Sequence, residues 1–404
     1  MNDEVLSSTV NSVSARPRTV TDDLWQRAEA TASVAAEYAD AVDRDARFPE
    51  EAFAEARTRR LLGMQVPIEL GGEGARVSDV AEVCYVLAKS CASTAMIFAM
   101  HQIMVRILVR HGAGSGWHGI LLRRIASEQL LLASSTTENQ TGGEVRASSC
   151  AVELSGARFS LVKSATVLSY AEQADAIVTT ARRALNSPPS DQVLVALMKD
   201  DYALERIVSW DALGMRGTCS MGFTLRGTGS SEQILPVHYD QIHTESMVPV
   251  AHLTWSAVWA GIAAGAVGRA QRFVREAARK GGPTPPGAAH LTRIAAQLQT
   301  LRGSVAAALH RFETASLTAD ALGALDFQTS INLLKVSSSE SAIATVLGAM
   351  QACGLSGYRN HGEFSICRSL RDVLSSAIMI NNDRILASAA NAVLLVGVPQ
   401  HLRD

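Results

Sequence analysis

The chain has 404 residues, 47% of them hydrophobic and 19% charged, with a formal net charge of −2. That balance excludes a disordered chain and gives no electrostatic reason to expect nucleic acid or an anionic membrane as partner. The length allows a sizeable core and two or three domains. The six scattered cysteines form no C-x-x-C pair, which points to inert thiols in a reduced compartment rather than to zinc.

Residues 1–20 show little periodicity and read as a flexible tail. They lack an apolar stretch between basic and small flanks, so no secretory signal is read there and a cytoplasmic location is expected. From Asp22, "DDLWQRAEATASVAAEYADAVDRDARF" spaces apolar residues at three and four, as a helix does. "PEEAFAEARTRRLLGM" predicts a second helix with Pro49 in its first turn. "VSDVAEVCYVLAKSCASTAMIFAMHQIMVRILVRHG" predicts two apolar helices, stopped at Gly112. From Leu130 the period changes to short, β-branched, alternating runs such as "FSLVKSATVL" and "QVLVALMKD", which predict antiparallel strands. Helices return near Ser246, first "WSAVWAGIAAGAVGRAQRFVREAARK", whose small residues admit a close neighbour, and last "RDVLSSAIMINNDRILASAANAVLL". The expected architecture is α+β. It comprises a helical domain over 21–129, an antiparallel β-domain over 130–242 and a four-helix-bundle-like domain over 243–404.

Four segments in this order carry more information. They are "TENQTGGE" from Thr137, "VLSY" from Val167, "LGMRGTCS" from Leu213 and "QACGLSGY" from Gln351. In order and spacing they resemble the motifs T-E-P-x-x-G-S-D, W-[IV]-[TS]-N/S, L-G-x-R-x-[TS] and Q-x-x-G-G-x-G-Y of the acyl-CoA dehydrogenase family. The resemblance runs from about Asp22 to the C-terminus. It implies a bound FAD and a homodimer or homotetramer. It implies that Thr136 and Thr137 donate to the pyrimidine side of the flavin and that Ser169 sits beside flavin N5. Gln351 and Gly354 are then expected at the pyrophosphate of a neighbouring subunit's flavin, and Asn382 near the flavin of its own subunit. The physical chemistry agrees, because a flavin needs short hydroxyl and backbone donors fixed on rigid strands.

The resemblance also exposes a gap. Dehydrogenases of this family remove an α-proton with a glutamate at one of two places. Counting from Arg371 and Asp372, the commoner place is Ile380; the alternative, ten residues before Gly265, is Trp255. Neither side chain takes a proton. Asp383 is the nearest acid and a weak candidate base, with Glu245 and Glu363 behind it, while Trp255, Ile380 and His101 are expected to line the substrate pocket. Arg279 replaces the arginine of a family R-x-x-F-G motif whose phenylalanine is absent here. Three readings follow. The first is α,β-dehydrogenation of an acyl thioester, on acyl-CoA or acyl carrier protein, passing electrons to an acceptor. The second is a flavin monooxygenase on the same frame, using oxygen and needing no such base. The third is a catalytically silent subunit that binds an acyl thioester. The first is the leading expectation, with no metal.

Overall fold

Helix α1 (Val20–Asp45) forms because Leu24, Ala28, Ala32, Ala35, Ala39 and Val42 recur at four, four, three, four and three, and that stripe is buried. The computed structural model describes residues 20–112, 114, 116–138, 146–280 and 285–398; of the tail expected over 1–20, residues 1–19 lie outside them and Val20 begins α1. Pro49 stands just before α2 (Glu50–Thr58), at its cap, and Phe53 and Ala56 turn inward. Helices α3 (Val77–Ala88) and α4 (Ala92–His111) are apolar almost all round and form the centre of the core. The sequence reading passed over α5 (Gly116–Glu128), although Leu121, Leu122 and Ile125 bury one face of it.

The strands form two sheets. β1 (Leu132–Ser135) pairs parallel with β4 (Ala176–Arg182), which pairs antiparallel with β5 (Gln192–Met198). The second sheet is antiparallel throughout, in the order β2 (Glu153–Ser155), β3 (Arg158–Leu168), β7 (Met221–Ser230), β6 (Tyr202–Val208). Alternate residues of β3 are buried and face the core. The parallel β1–β4 pair departs from the antiparallel pattern expected locally, and it sets the ends of β1 and β3 beside one another.

Helix α6 (Tyr239–Ile242) runs through a π-helical turn (His243–Met247) into the long α7 (Val248–Arg279). The small residues of α7 do bring a neighbour close. A Cβ on Gly261 would lie 2.4 Å from the Tyr85 carbonyl oxygen of α3, and one on Gly265 would lie 2.6 Å from that of Lys89. α8 (Ala289–Ala315) and α9 (Leu325–Cys353) pack against α7, followed by the single turn α10 (Leu355–Tyr358) and by α11 (Cys367–Leu374). The last predicted helix is broken. After α11 the chain makes a 3-10 turn over Ser375–Ala377, and α12 (Asn382–Leu395) starts only after Ile380 has taken a left-handed conformation, φ 48°. Asn381 caps the new helix, its Oδ1 accepting the N–H groups of Asp383 and Arg384. Two stretches, α4 and 239–279, are long and apolar enough to cross a membrane, yet 83% of each such window is buried inside the protein.

Candidate cofactor and substrate site

Thr136 and Thr137 follow β1 directly and are half-buried. Ser169 follows β3, also half-buried, and the Thr137 hydroxyl approaches the Val167 carbonyl at 3.5 Å. The strand ends are fixed from behind by a buried lysine. Lys163 on β3 donates to the Ser135 carbonyl at 3.0 Å and to the Thr180 carbonyl and hydroxyl, both at 2.7 Å. Its ammonium lies 3.3 Å from Glu138, which also accepts from the Ser148 and Ser149 hydroxyls and the Ser149 N–H. Burial pushes the Glu138 carboxyl up, but Lys163 and the two serines outweigh it and hold it below its ordinary value. Burial lowers Lys163 in turn, against the pull of Glu138. Glu138 is therefore a structural acid, committed to the wall of the site. Residues 139–144 of the same motif lie outside the described residues.

The loop over 210–220 is locked to both helical regions. The Met215 N–H donates to Asp372 of α11 at 2.7 Å. Arg371 pairs with Asp43 of α1 and donates to the Leu213 carbonyl at 2.9 Å. Gly214 has no room for a side chain, since a Cβ would lie 2.2 Å from the Arg371 carbonyl oxygen. Arg216 donates to the Asp43 carbonyl at 2.7 Å and to Ala212 at 3.1 Å, so it braces the loop. Full burial raises the Asp372 pKa to about 6, against the Met215 N–H that favours its charge. Tyr170, Met215, Cys219 and Ile380 all have left-handed backbone, φ 42°, 53°, 47° and 48°. Such conformations cost non-glycine residues energy and tend to gather at functional sites. Three of these four fall in segments that resemble the family motifs, Ile380 is the position where the resemblance led the base to be expected, and Ala46, Arg60, Gln129 and Asp320 are left-handed elsewhere.

The third part of the site is the loop between α11 and α12. Lys335 of α9 is buried and has no carboxylate against it among the described residues. Its ammonium donates to the Ser376 carbonyl at 2.9 Å, the Ile380 carbonyl at 2.6 Å and Asn382 Oδ1 at 2.6 Å. It also lies 5.6 Å from the Trp259 ring centre. Desolvation lowers its pKa to about 8. Asn382 closes the arrangement by donating to Ser339 at 3.0 Å. Opposite, α7 presents His252, Trp255, Ser256 and Trp259 at i, i+3, i+4 and i+7, one helical face. Both indole N–H groups and the Ser256 hydroxyl are buried without a hydrogen-bond partner among the described residues, while the His252 ring has the Ile331 carbonyl beside it. Burial drives the His252 pKa down to about 3, with Lys335 adding to the effect and the Ile331 carbonyl opposing it, so the ring is neutral. Buried polar groups are normally paired, so a row of unpaired ones calls for an explanation.

Among the residues singled out from sequence, Thr136, Thr137 and Ser169 meet at the strand ends, and Ile380 and Asn382 meet around Lys335. Trp255 lies on the α7 face that carries Trp259. Gln351 and Gly354 are exposed at the far end of α9, sixteen residues or about 24 Å along the helix from Lys335 in the first case. His101 is not in a pocket. It is fully buried, its Nε2–H donating to the Leu62 carbonyl at 2.9 Å and its Nδ1 accepting the Leu132 N–H at 3.0 Å. Burial lowers its pKa to about 4, so it is a neutral core histidine that joins α4 to β1. Asp383 is exposed in the first turn of α12, Glu363 is exposed, and Glu245 pairs with Arg110 at 2.8 Å. Arg279 is exposed at the end of α7. Lys335, His252, Trp259 and Ser220 were missed. The signal for Lys335 was a single charge inside the apolar run "INLLKVSSS". Among the described residues no cluster of His, Cys, Asp or Glu is suited to a metal ion.

Comparison with known proteins adds the lineage. Residues 25–115 match the acyl-CoA dehydrogenase N-terminal domain, and residues 246–389 match the C-terminal domain of the same family. The chain is 31% identical over 362 residues to the L-evernosamine nitrososynthase of Micromonospora sp., covering 86% of this chain and 83% of that protein. Its fold is similar to that of KijD3, solved with FMN and dTDP-3-amino-2,3,6-trideoxy-4-keto-3-methyl-D-glucose, with TM-score 0.80, 21% identity and 96% and 97% of the two chains covered. It is also similar in fold to FMN-bound TdsC from Paenibacillus sp. A11-2, with TM-score 0.81, 18% identity and 94% and 100% covered.

Proposed function

Because the chain belongs to the acyl-CoA dehydrogenase family, we propose that it is a flavin-dependent oxygenase of that family acting on the amino group of a sugar nucleotide. The observation that carries this reading is the fate of the acids around the reaction loop. The base position is Ile380, an apolar residue. Asp372 is committed to the Met215 N–H, Asp383 is exposed on α12, and Glu245 is paired with Arg110. Dehydrogenation of a thioester requires a carboxylate to take a carbon-bound proton. Oxygenation of an amine breaks no carbon–hydrogen bond: the nitrogen lone pair reacts, and the protons to be lost are nitrogen-bound ones that exchange readily with water. The unpaired row on α7 supports the same reading, since an acyl chain satisfies no hydrogen bond and a sugar satisfies several. The 31%-identical relative is named for an amino sugar reaction, and KijD3 was solved with an amino sugar nucleotide.

The chain's residues fit a flavin. Hydroxyls of Thr136, Thr137 and Ser169 stand half-buried on braced strand ends, where they can meet the ring edge. When bound, a flavin supplies electrons to oxygen and transfers an oxygen atom to the substrate. The protein's own part is to orient the ring, to place the amine with the α7 row and the Ile380 backbone, and to keep bulk water out behind Trp255 and Trp259. FMN accompanies both structural neighbours, whereas FAD would in addition use Gln351 and Gly354 of a second subunit. A homo-oligomer is part of this reading. Leu355, Tyr358, Ile378, Leu394 and Leu395 are exposed apolar residues of the C-terminal region that also holds Gln351 and α12.

The test supplies the purified protein with FMN or FAD, a flavin reductase, NAD(P)H, air and a dTDP-amino sugar. An N-oxygenated sugar detected by mass is expected, together with no anaerobic bleaching of the flavin by butyryl-CoA. Bleaching by the thioester without oxygenated sugar would restore the dehydrogenase reading.

A further inference from the structure

Three hydroxyls behind the strand ends form a chain. Thr218 Oγ1 donates to the Met215 carbonyl at 2.8 Å, Thr218 and Ser220 lie 2.7 Å apart, and Ser220 and Ser169 lie 2.7 Å apart. Each hydroxyl has one hydrogen, and two oxygens at such distances repel unless a hydrogen lies between them. The Met215 carbonyl has none to give, so the Thr218 hydrogen is fixed on it. Ser220 must then donate to Thr218, and Ser169 must donate to Ser220. All three hydrogens point one way, inward. We infer that Ser169 presents only lone pairs to the space before it and is a hydrogen-bond acceptor toward the cofactor, a polarity set by Ser220 and Thr218.

This rests on the reading that Ser169 meets N5 of a flavin. That nitrogen is a bare acceptor in the oxidised ring and carries a hydrogen in the reduced ring. An acceptor-only Ser169 pairs with the reduced form and faces the oxidised form lone pair to lone pair. Thr218 and Ser220 are thus positioning residues that bias the cofactor toward its reduced state, the state that meets oxygen. The chain is held rigidly, because Cys219 between them is left-handed, φ 47°, and the Met215 carbonyl also accepts the Trp210 indole N–H at 3.2 Å.

The experiment measures the flavin midpoint potential of the holoenzyme by spectroelectrochemistry. Ser220→Ala releases the Ser169 hydrogen to turn outward. The preference for reduced over oxidised flavin is expected to fall about tenfold, a drop of about 30 mV for a two-electron couple. Thr218→Val, which lets Ser220 donate to Ser169, shifts the potential the same way and serves if Ser220→Ala folds poorly. Ser169→Ala also lowers it, and the Ser169→Ala/Ser220→Ala pair goes no lower than Ser169→Ala alone. A potential unchanged or raised in both Ser220→Ala and Thr218→Val, while Ser169→Ala lowers it, overturns the polarity and leaves the flavin reading standing. No effect of Ser169→Ala, or no flavin bound by the wild-type protein, overturns the reading beneath it as well.

Discussion

At the strand end of the site Lys163, Glu138, Ser148 and Ser149 satisfy one another, whereas along α7 the indole N–H groups of Trp255 and Trp259 and the Ser256 hydroxyl have no hydrogen-bond partner among the described residues. The Lys163–Glu138 cluster is internally paired before any ligand arrives, although the nearby Ser135 and Thr166 hydroxyls have no partner among the described residues. A rigid, internally paired frame suits a cofactor that stays and must be held in one orientation. The second region is incomplete in the chain alone, as suits a substrate that comes and goes and brings its own donors and acceptors. Both contain a buried lysine, and the contrast holds there too. Lys163 faces a carboxylate, whereas Lys335 faces carbonyl and amide oxygens and the Trp259 ring.

The contrast predicts unequal costs of mutation. The largest is expected at the internally paired end. Glu138→Ala leaves the Lys163 ammonium buried and uncompensated, and a loss of about 3–5 kcal/mol in urea-induced unfolding is expected. A loss under about 1 kcal/mol would mean that the strand end is less closed than the geometry implies. Lys335→Met comes next, at about 2 kcal/mol, because three acceptors lose a donor while a buried charge is relieved. Its pH dependence is more specific. Burial holds the Lys335 pKa at about 8, below its ordinary 10.5. Between those values the unfolded chain binds the proton and the folded chain does not, so stability rises with pH there. Wild-type unfolding followed from pH 8 to 10.5 should carry this upward slope, and Lys335→Met should lose it. The smallest change sharpens the boundary of the reaction loop. Asn381→Ala removes the α12 cap and should cost about 1 kcal/mol, with substrate KM rising more than flavin affinity falls. An equal loss of both would merge the two regions into one.

Much of the fold was legible because burial follows period. The α1 stripe and the alternation of β3 can be read directly, and the four motifs fall where strands and helices end. The break before α12 was not legible. Nothing in "SSAIMINND" announces that Ile380 turns left-handed, a choice imposed by the tertiary grip of Lys335 on its carbonyl. His101 misled for a related reason. Sequence shows that a histidine lies on an apolar helix but not that two backbone groups from distant segments will meet both of its nitrogens. Ser220 and Thr218 were invisible as a pair with Ser169, fifty-one residues from Ser220, until β3 and β7 aligned.

The π-helical turn over His243–Met247 sets the phase of α7. Such a turn lodges one extra residue in a helix, and each residue of an α-helix advances the face by about 100°. The turn therefore acts as a rotary offset for everything downstream, and it decides which side of α7 looks at α9. A relative lacking that one residue would turn a different set of α7 side chains toward α9. Selectivity on this scaffold can thus be rewritten by indexing a helix, with every lining position left unmutated.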